Sequence, residues 1–181
     1  MRADQDLLAL AQELGIGAGV DELQGWIERG RVALQSLWSE AAGGYRSRDQ
    51  RVGEVLAVGT SASVLPLFAR AASPERAIEL CAALERWAQK VRFLIPSTDP
   101  ASPLFEPRRY WRGPIWLIVD WMIADGLAAY GRADLADRLR RDALELVRRS
   151  GFCEYFDPMT GEGLGGANFT RTSSTTLFWL L

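Results

Sequence analysis

The sequence predicts an all-α fold, and three observations carry that prediction. Apolar residues recur at helical spacing through most of the chain, helix start and stop signals bracket those stretches, and runs with the alternation of a strand are few. One stretch that is apolar nearly all round is followed directly by a strongly amphipathic one, the pairing of inner and outer helix from which two-layer arrays are built. No residue-level repeat is visible. The inner–outer alternation nevertheless suggests helical hairpins stacked side by side, as in an α-solenoid or a closed α/α toroid.

Taken in order, Leu7, Leu8, Ala11 and Leu14 mark a helix over Asp4–Leu14 that Gly15-Ile16-Gly17 ends. Asp21 and Gln24 have the spacing of a capping box for a longer second helix. That helix puts Leu23, Trp26, Ile27, Gly30, Leu34, Leu37 and Trp38 on one face and breaks at Gly43-Gly44. Tyr45–Leu56 is charged and irregular, and is expected to be a solvated loop with a short strand or hairpin. Ser61–Ala71 is expected to form a short apolar helix that tolerates Pro66 near its first turn. Ser73-Pro74-Glu75 supplies an N-cap hydroxyl, a proline at the first helical position and an acid in the first turn, so a helix follows with Ala77, Leu80, Cys81, Leu84 and Trp87 buried.

Phe93–Arg109 is a long connection containing Pro96, Pro100, Pro103 and Pro107, and connections of that length in a compact domain generally serve a site. Pro114 is expected to open the most apolar helix, which runs through Ile115, Trp116, Leu117, Ile118, Val119, Trp121, Met122, Ile123 and Leu127 to Gly131 and holds Asp120 within it. Ala133–Ser150 covers it, with Leu135, Leu139, Ala143 and Leu146 inward and a set of arginines outward.

Composition narrows the function. A chain of 181 residues is one domain's worth, large enough for a real core. A formal charge of −2 offers no broad basic field for nucleic acid, and neither a membrane-spanning apolar run nor a signal-like start is present, Met1 to Asp6 being too acidic. Cys81 and Cys153, far apart, are expected to be reduced thiols in a cytoplasmic protein. The absence of histidine removes Ser-His-Asp hydrolysis, Cys-His proteolysis and His-ligated metals together, and no metal or cofactor is expected. Lys90 is the lone lysine, which leaves carboxylates and tyrosines to move protons.

Two stretches carry candidate chemistry. In Tyr110-Trp111-Arg112-Gly113-Pro114-Ile115-Trp116, Trp111 precedes Gly-Pro and so belongs to a loop, where a flat ring suits the C–H face of a sugar and Arg112 suits a carboxylate or hydroxyls. The plain alternative is that Trp111 and Trp116 plug the end of the core. The second stretch is Gly151-Phe152-Cys153-Glu154-Tyr155-Phe156-Asp157-Pro158. If it is extended, Phe152, Glu154 and Phe156 share one face, setting a carboxylate between two rings in a partly apolar wall. Glu154 as a loop cap or an arginine partner is the plain alternative, and Asp157 before Pro158 is expected to form a turn.

These two motifs, followed by Thr160-Gly161-Glu162-Gly163-Leu164-Gly165 and Phe169, resemble the C-terminal part of glycoside hydrolase family 63, more narrowly the bacterial mannosylglycerate and glucosylglycerate hydrolases. Ser97-Thr98-Asp99-Pro100 and Arg108-Arg109 belong to the same resemblance, which extends more weakly back to Asp4. A looser form recurs in trehalases. The resemblance implies an (α/α)₆ toroid with its site in a central funnel and hydrolysis of an α-glycosidic bond with inversion, for which two carboxyls flank the bond. It maps the general base onto Glu154 and the sugar pocket onto Tyr110, Trp111 and Trp116.

Two departures stand out: Arg171 occupies the position of a tryptophan, and the stretch bearing the general acid, an Asp, has no counterpart. Residues 1–181 are therefore expected to be the C-terminal portion of a catalytic domain, without its acid. Such an open array would expose apolar helix faces and favour self-association. A non-catalytic sugar-binding remnant is the second reading. An α/α-toroid epimerase of N-acyl sugars is set aside, since that chemistry resembles this architecture but relies on histidines.

Overall fold

The computed structural model describes residues 1–181 and is mainly helical. Its elements are α1 (Arg2–Glu13), α2 (Val20–Gln35), β1 (Trp38–Ser39), β2 (Gly44–Tyr45), α3 (Pro74–Ala88), α4 (Leu117–Ala129), α5 (Ala133–Ser150), β3 (Tyr155–Phe156), β4 (Gly163–Leu164) and α6 (Thr170–Leu180). The strands form two separate antiparallel ribbons, β1 with β2 and β3 with β4.

Where capping chemistry and periodicity agree, the predicted helices form. Ser73 is the N-cap of α3 and its hydroxyl accepts the Arg76 amide at 3.3 Å, with Pro74 in the first turn. Ala77, Leu80, Cys81, Leu84 and Trp87 are its buried residues. In α5 the buried set is Leu135, Leu139, Ala143 and Leu146. The most extensive packing in the molecule is α5 against α4, and α6 packs on both. The common core takes in Leu67, Leu80, Leu84, Leu94, Ile95, Ile115, Ile123, Leu127 and Phe156.

Four boundaries differ from expectation. Asp21 caps nothing: α2 begins at Val20 with Gly19 as its N-cap in the left-handed region, and Asp21 lies in the first turn, where its charge favours the helix dipole. The same helix ends at Gln35, and Trp38 belongs to β1, paired with Tyr45 across the turn that Gly43-Gly44 permits. Of its predicted apolar face only Leu23 and Ile27 are buried, while Trp26 is exposed. Ser61–Ala71 is a 3₁₀ turn over Ser61–Val64 followed by further turns. The Thr60–Ser63 reciprocal cap fixes its start, and Pro66 deprives the next turn of an amide donor. Lastly, α4 begins at Leu117, because Ile115 is taken by pairing to Phe156 and Trp116 serves as the N-cap residue.

The α1–α2 hairpin is tied to the rest by charge. Asp125 on α4 receives Arg2 and Arg70, each at 2.9 Å, and Arg2 also donates to the Phe68 carbonyl at 3.3 Å. Its outer side is apolar and uncovered at Leu7, Leu10, Leu14, Ile16 and Trp26, as is α6 at Leu177, Phe178 and Leu180. Patches of this kind seek a partner surface. We propose that they make the isolated chain self-associate. Sedimentation velocity should then give a mean mass that rises with protein concentration, and Leu10→Lys should reduce that rise. A monomer at every concentration would contradict the proposal.

Candidate active site

The aromatic motif sits on a tight loop closed by its own backbone. The Glu106 amide donates to the Arg112 carbonyl at 2.7 Å, the Arg112 amide to Arg109 at 2.7 Å and the Arg109 amide to Glu106 at 3.0 Å. Gly113 is needed here, since a Cβ would lie 2.6 Å from the Glu106 carbonyl carbon and 2.8 Å from Pro107 Cα. Tyr110 holds a φ of 42°, a left-handed conformation that a tyrosine adopts only at a cost.

That backbone presents a wall of rings. Trp111 lies flat on Trp116, with centroids 4.1 Å apart and planes 4° from parallel. Tyr155 covers the other side of Trp116 at 5.1 Å, and Tyr110 meets Trp116 edge-on at 5.0 Å and Tyr155 at 5.5 Å. The Trp116 indole N–H donates to the Tyr110 carbonyl at 3.2 Å. Each such contact contributes about 0.5–1.5 kcal/mol beyond burial, enough together to hold the wall rigid. The roles within it differ. Trp116 is 4% exposed and fills the stack, whereas Trp111 and Tyr110, at 45% and 50%, offer open surface.

Glu154 stands beside this wall, although not in the setting that strict alternation predicted. Only Tyr155–Phe156 is strand; Phe152 is exposed and Phe156 is wholly buried, so the carboxylate is not sandwiched between those two rings. The short ribbon turns the chain too sharply for alternation to persist. Glu154 instead packs against the backbone of the returning chain, its amide donating to the Gly166 carbonyl at 3.0 Å. Gly165, at φ +72°, makes room: a Cβ there would lie 2.6 Å from Glu154 Oε2 and 2.8 Å from Tyr155 Cε1. The strand is tied to the aromatic loop by a reciprocal pair, Ile115 amide to Phe156 carbonyl at 2.8 Å and back at 3.0 Å. Behind it the Thr172 hydroxyl donates to the Cys153 carbonyl at 2.7 Å.

Charged groups rim the wall. Arg112 pairs with Glu106 at 3.1 Å, and since both side chains are more than a third exposed the pair is weak and exchangeable. Arg108 grips Glu162 with both guanidinium nitrogens and reaches Asp157 at 3.4 Å, joining the aromatic loop to the β3–β4 turn. Asp157 forms that turn as predicted, accepting the amides of Met159 at 2.8 Å and Thr160 at 3.3 Å. Arg171 is exposed, its guanidinium 5.9 Å from the centre of the Phe169 ring.

The structure thus brings Tyr110, Trp111, Arg112 and Trp116 into one loop cluster and sets Glu154 at its edge. Tyr155 is a member of the wall that strand alternation concealed, because it assigns Tyr155 to the face opposite Glu154; its place next to the carboxylate in a run of aromatics was the available signal. Arg108 entered only through the resemblance, and nothing local pointed to its partner, which lies 54 positions away.

The site is a carboxylate beside an open aromatic wall, held on a helical array. Comparison with known proteins is more specific. Residues 1–172 match the family model of the mannosylglycerate hydrolase MGH1-like glycoside hydrolase domain, and the chain belongs to that family. It is 51% identical to a mannosylglycerate hydrolase of Thermus thermophilus over 98% of its own length and 42% of the relative's. It is 34% identical to glucosylglycerate hydrolase of Mycolicibacterium hassiacum over 90% of its length and 38% of the relative's. The crystal structure of a GH63 mannosylglycerate hydrolase from Thermus thermophilus in complex with glucose is matched with a TM-score of 0.96 at 50% identity, covering 99% of this chain and 45% of that one. The chain therefore spans about two fifths of the length of these relatives.

Two expected outcomes follow from this geometry. Gly165→Ala forces a side chain into the left-handed region and against Glu154, and should cost at least about 1–2 kcal/mol of unfolding free energy by urea denaturation. It should also alter the near-ultraviolet circular dichroism of the aromatic wall; an unchanged spectrum would contradict the packing. The Arg108 guanidinium holds the Glu162 carboxyl below its ordinary value. A carboxyl depressed in the folded state stabilises above its unfolded pKa of about 4.3 and loses that effect as pH falls through the folded value. Acidification below about pH 4 should thus loosen the contact between this loop and the β3–β4 turn and shift tryptophan emission slightly. Glu162→Gln should lack that acid step, and retention of the step in the variant would exclude the pair as its source.

Proposed function

We propose that Glu154 is the general base of an inverting α-glycosidase, with Tyr110, Trp111, Trp116 and Tyr155 forming the sugar-binding wall beside it. The observation that carries this reading is the adjacency itself: the residue bearing the carboxylate is followed directly by the tyrosine that closes the aromatic stack. Inversion needs a water activated on one face of the sugar and an acid on the other. Glu106 and Glu162 are engaged by arginines, while Glu154 enters no such pair, which suits a base that must hold water. Trp111 offers one open face, because Trp116 covers the other, so a single ring of a small glycoside stacks there.

The substrate proposed is mannosylglycerate or glucosylglycerate, after the activities named for the relatives. Arg112 is the group suited to the glycerate carboxylate, exchanging Glu106 for it. The second carboxyl is not found among the nearby acids. Asp99 accepts the Ala101 amide, Asp157 is built into its turn and Asp120 is buried. In this reading the acid comes from the part of the family domain that the chain does not span, and residues 1–181 supply the base half of the site.

The test is a chimera in which this chain replaces the matching part of the Thermus thermophilus mannosylglycerate hydrolase. Hydrolysis of mannosylglycerate or glucosylglycerate by the chimera, lowered about 10²–10⁴-fold by Glu154→Gln, supports the reading. Sugar binding without hydrolysis in either protein would favour a non-catalytic binding module. Full activity in the Glu154→Gln chimera would exclude Glu154 as the base.

A further inference from the structure

Asp120 is the most deeply buried acidic residue of the chain and has no part in the chemistry above. It sits in α4, wholly inaccessible, with Oδ1 accepting the Ile95 amide at 3.1 Å and Oδ2 without a partner. Burial pushes its carboxyl well above the ordinary range, against the pull of the Ile95 amide. An acid here is a costly way to fill a helix interface, since it leaves Oδ2 buried and unpaired. What an apolar side chain could not do is hold the Ile95 amide. One residue earlier, the Leu94 amide donates to Asp142 Oδ2 at 3.0 Å, and Asp142 lies on α5, where Arg138 approaches it at 3.5 Å. Two facing helices therefore grip two consecutive amides of one connecting segment.

That segment runs straight on to the site. Pro96 bridges to Ile115. The Ser97 amide reaches the carbonyls of Gly113 at 3.2 Å and Pro114 at 3.0 Å, and the Ser97 hydroxyl accepts the Gly113 amide at 3.0 Å. The Thr98 hydroxyl donates to the Trp111 carbonyl at 3.2 Å. Within four residues of the grip, the backbone path from Trp111 to Ile115 is determined, and Ile115 in turn holds Phe156, two residues beyond Glu154. We infer that Asp120 and Asp142 form a carboxyl clamp on Leu94–Ile95 that positions the Trp111 loop relative to the Glu154 strand. Both are positioning residues, acting through the 94–98 segment without touching sugar or water. The functional meaning of the clamp rests on the reading of Trp111 and Glu154 given above; its physical existence does not.

Hydrogen–deuterium exchange on the 181-residue chain tests it without requiring activity. In Asp120→Leu, peptides covering 92–98 and 110–116 should exchange about tenfold faster or more, while those of α1 and α2 keep wild-type rates. Asp120→Asn retains an acceptor for the Ile95 amide and should keep wild-type protection, whereas a purely space-filling role would leave Asp120→Leu protected as well. If Asp120→Leu does not fold, Asp142→Ala on the outer helix decides, with the same pattern expected at smaller amplitude. Unchanged exchange at 110–116, or an equal increase throughout the chain, would overturn the clamp. Failure of the chimera to hydrolyse glycosides would leave this exchange pattern standing, so the two ideas fail separately.

Discussion

The site depends on a run of backbone hydrogen bonds made by one extended connection, residues 92–99. The amides of Arg92 and Phe93 go to the Pro158 carbonyl at 3.1 and 3.0 Å, those of Leu94 and Ile95 to carboxylates on α5 and α4, that of Ser97 to the Gly113–Pro114 turn and that of Asp99 to Gly59 at 2.9 Å. The connection is buried from Phe93 to Thr98, where an unpaired peptide group would be costly, so every one of these bonds constrains what lies opposite it. Pro96, which has no amide to place, stands where the run needs none. The turn after Glu154, the aromatic loop and the entry to α4 are thereby fixed to a common string. Their own helical packing alone would not align them.

That constraint also explains the pattern of what was legible in the sequence. Helices α3 and α5 could be read residue by residue, because a capping serine or an arginine-rich outer face leaves one solution. The proline-bearing connection stood out by its length, yet its bonding was not legible, since its partners lie on α4, α5 and two loops far away in sequence. Helix α4 was placed correctly in the interior but begun too early. Its apolar run does not reveal that Ile115 is claimed by Phe156. Asp21 and Gln24 imitated a cap that Gly19 provides. Strand alternation over Phe152–Phe156 singled out Glu154 on a geometry that the structure does not have: the ribbon is two residues long, and Glu154 is set by the missing side chain of Gly165 and not by flanking phenylalanines.

The chemistry divides along the same lines. Strongly packed, uncharged groups make the wall, and the charged groups stay at the rim, where solvent screens them and partners can be exchanged. Arg112 with Glu106 and Arg108 with Glu162 are of that second kind. Glu154 lies between the two regimes, next to the rings and free of arginine. The uncovered apolar faces of α1, α2 and α6 lie apart from these contacts, and the aromatic wall with Glu154 is internally supported without them.

The central claim is that a sugar stacks on Trp111 with its reactive carbon served by water from Glu154. A crystal structure of the Glu154→Gln protein with mannosylglycerate tests it most directly. The account predicts the mannosyl ring against the open face of Trp111, its carboxylate-bearing end near Arg112, and a water about 2.6–3.2 Å from the residue 154 side chain on the face of the anomeric carbon away from the leaving oxygen. A sugar bound on another surface, or on Trp111 with its anomeric carbon turned away from residue 154, would contradict it.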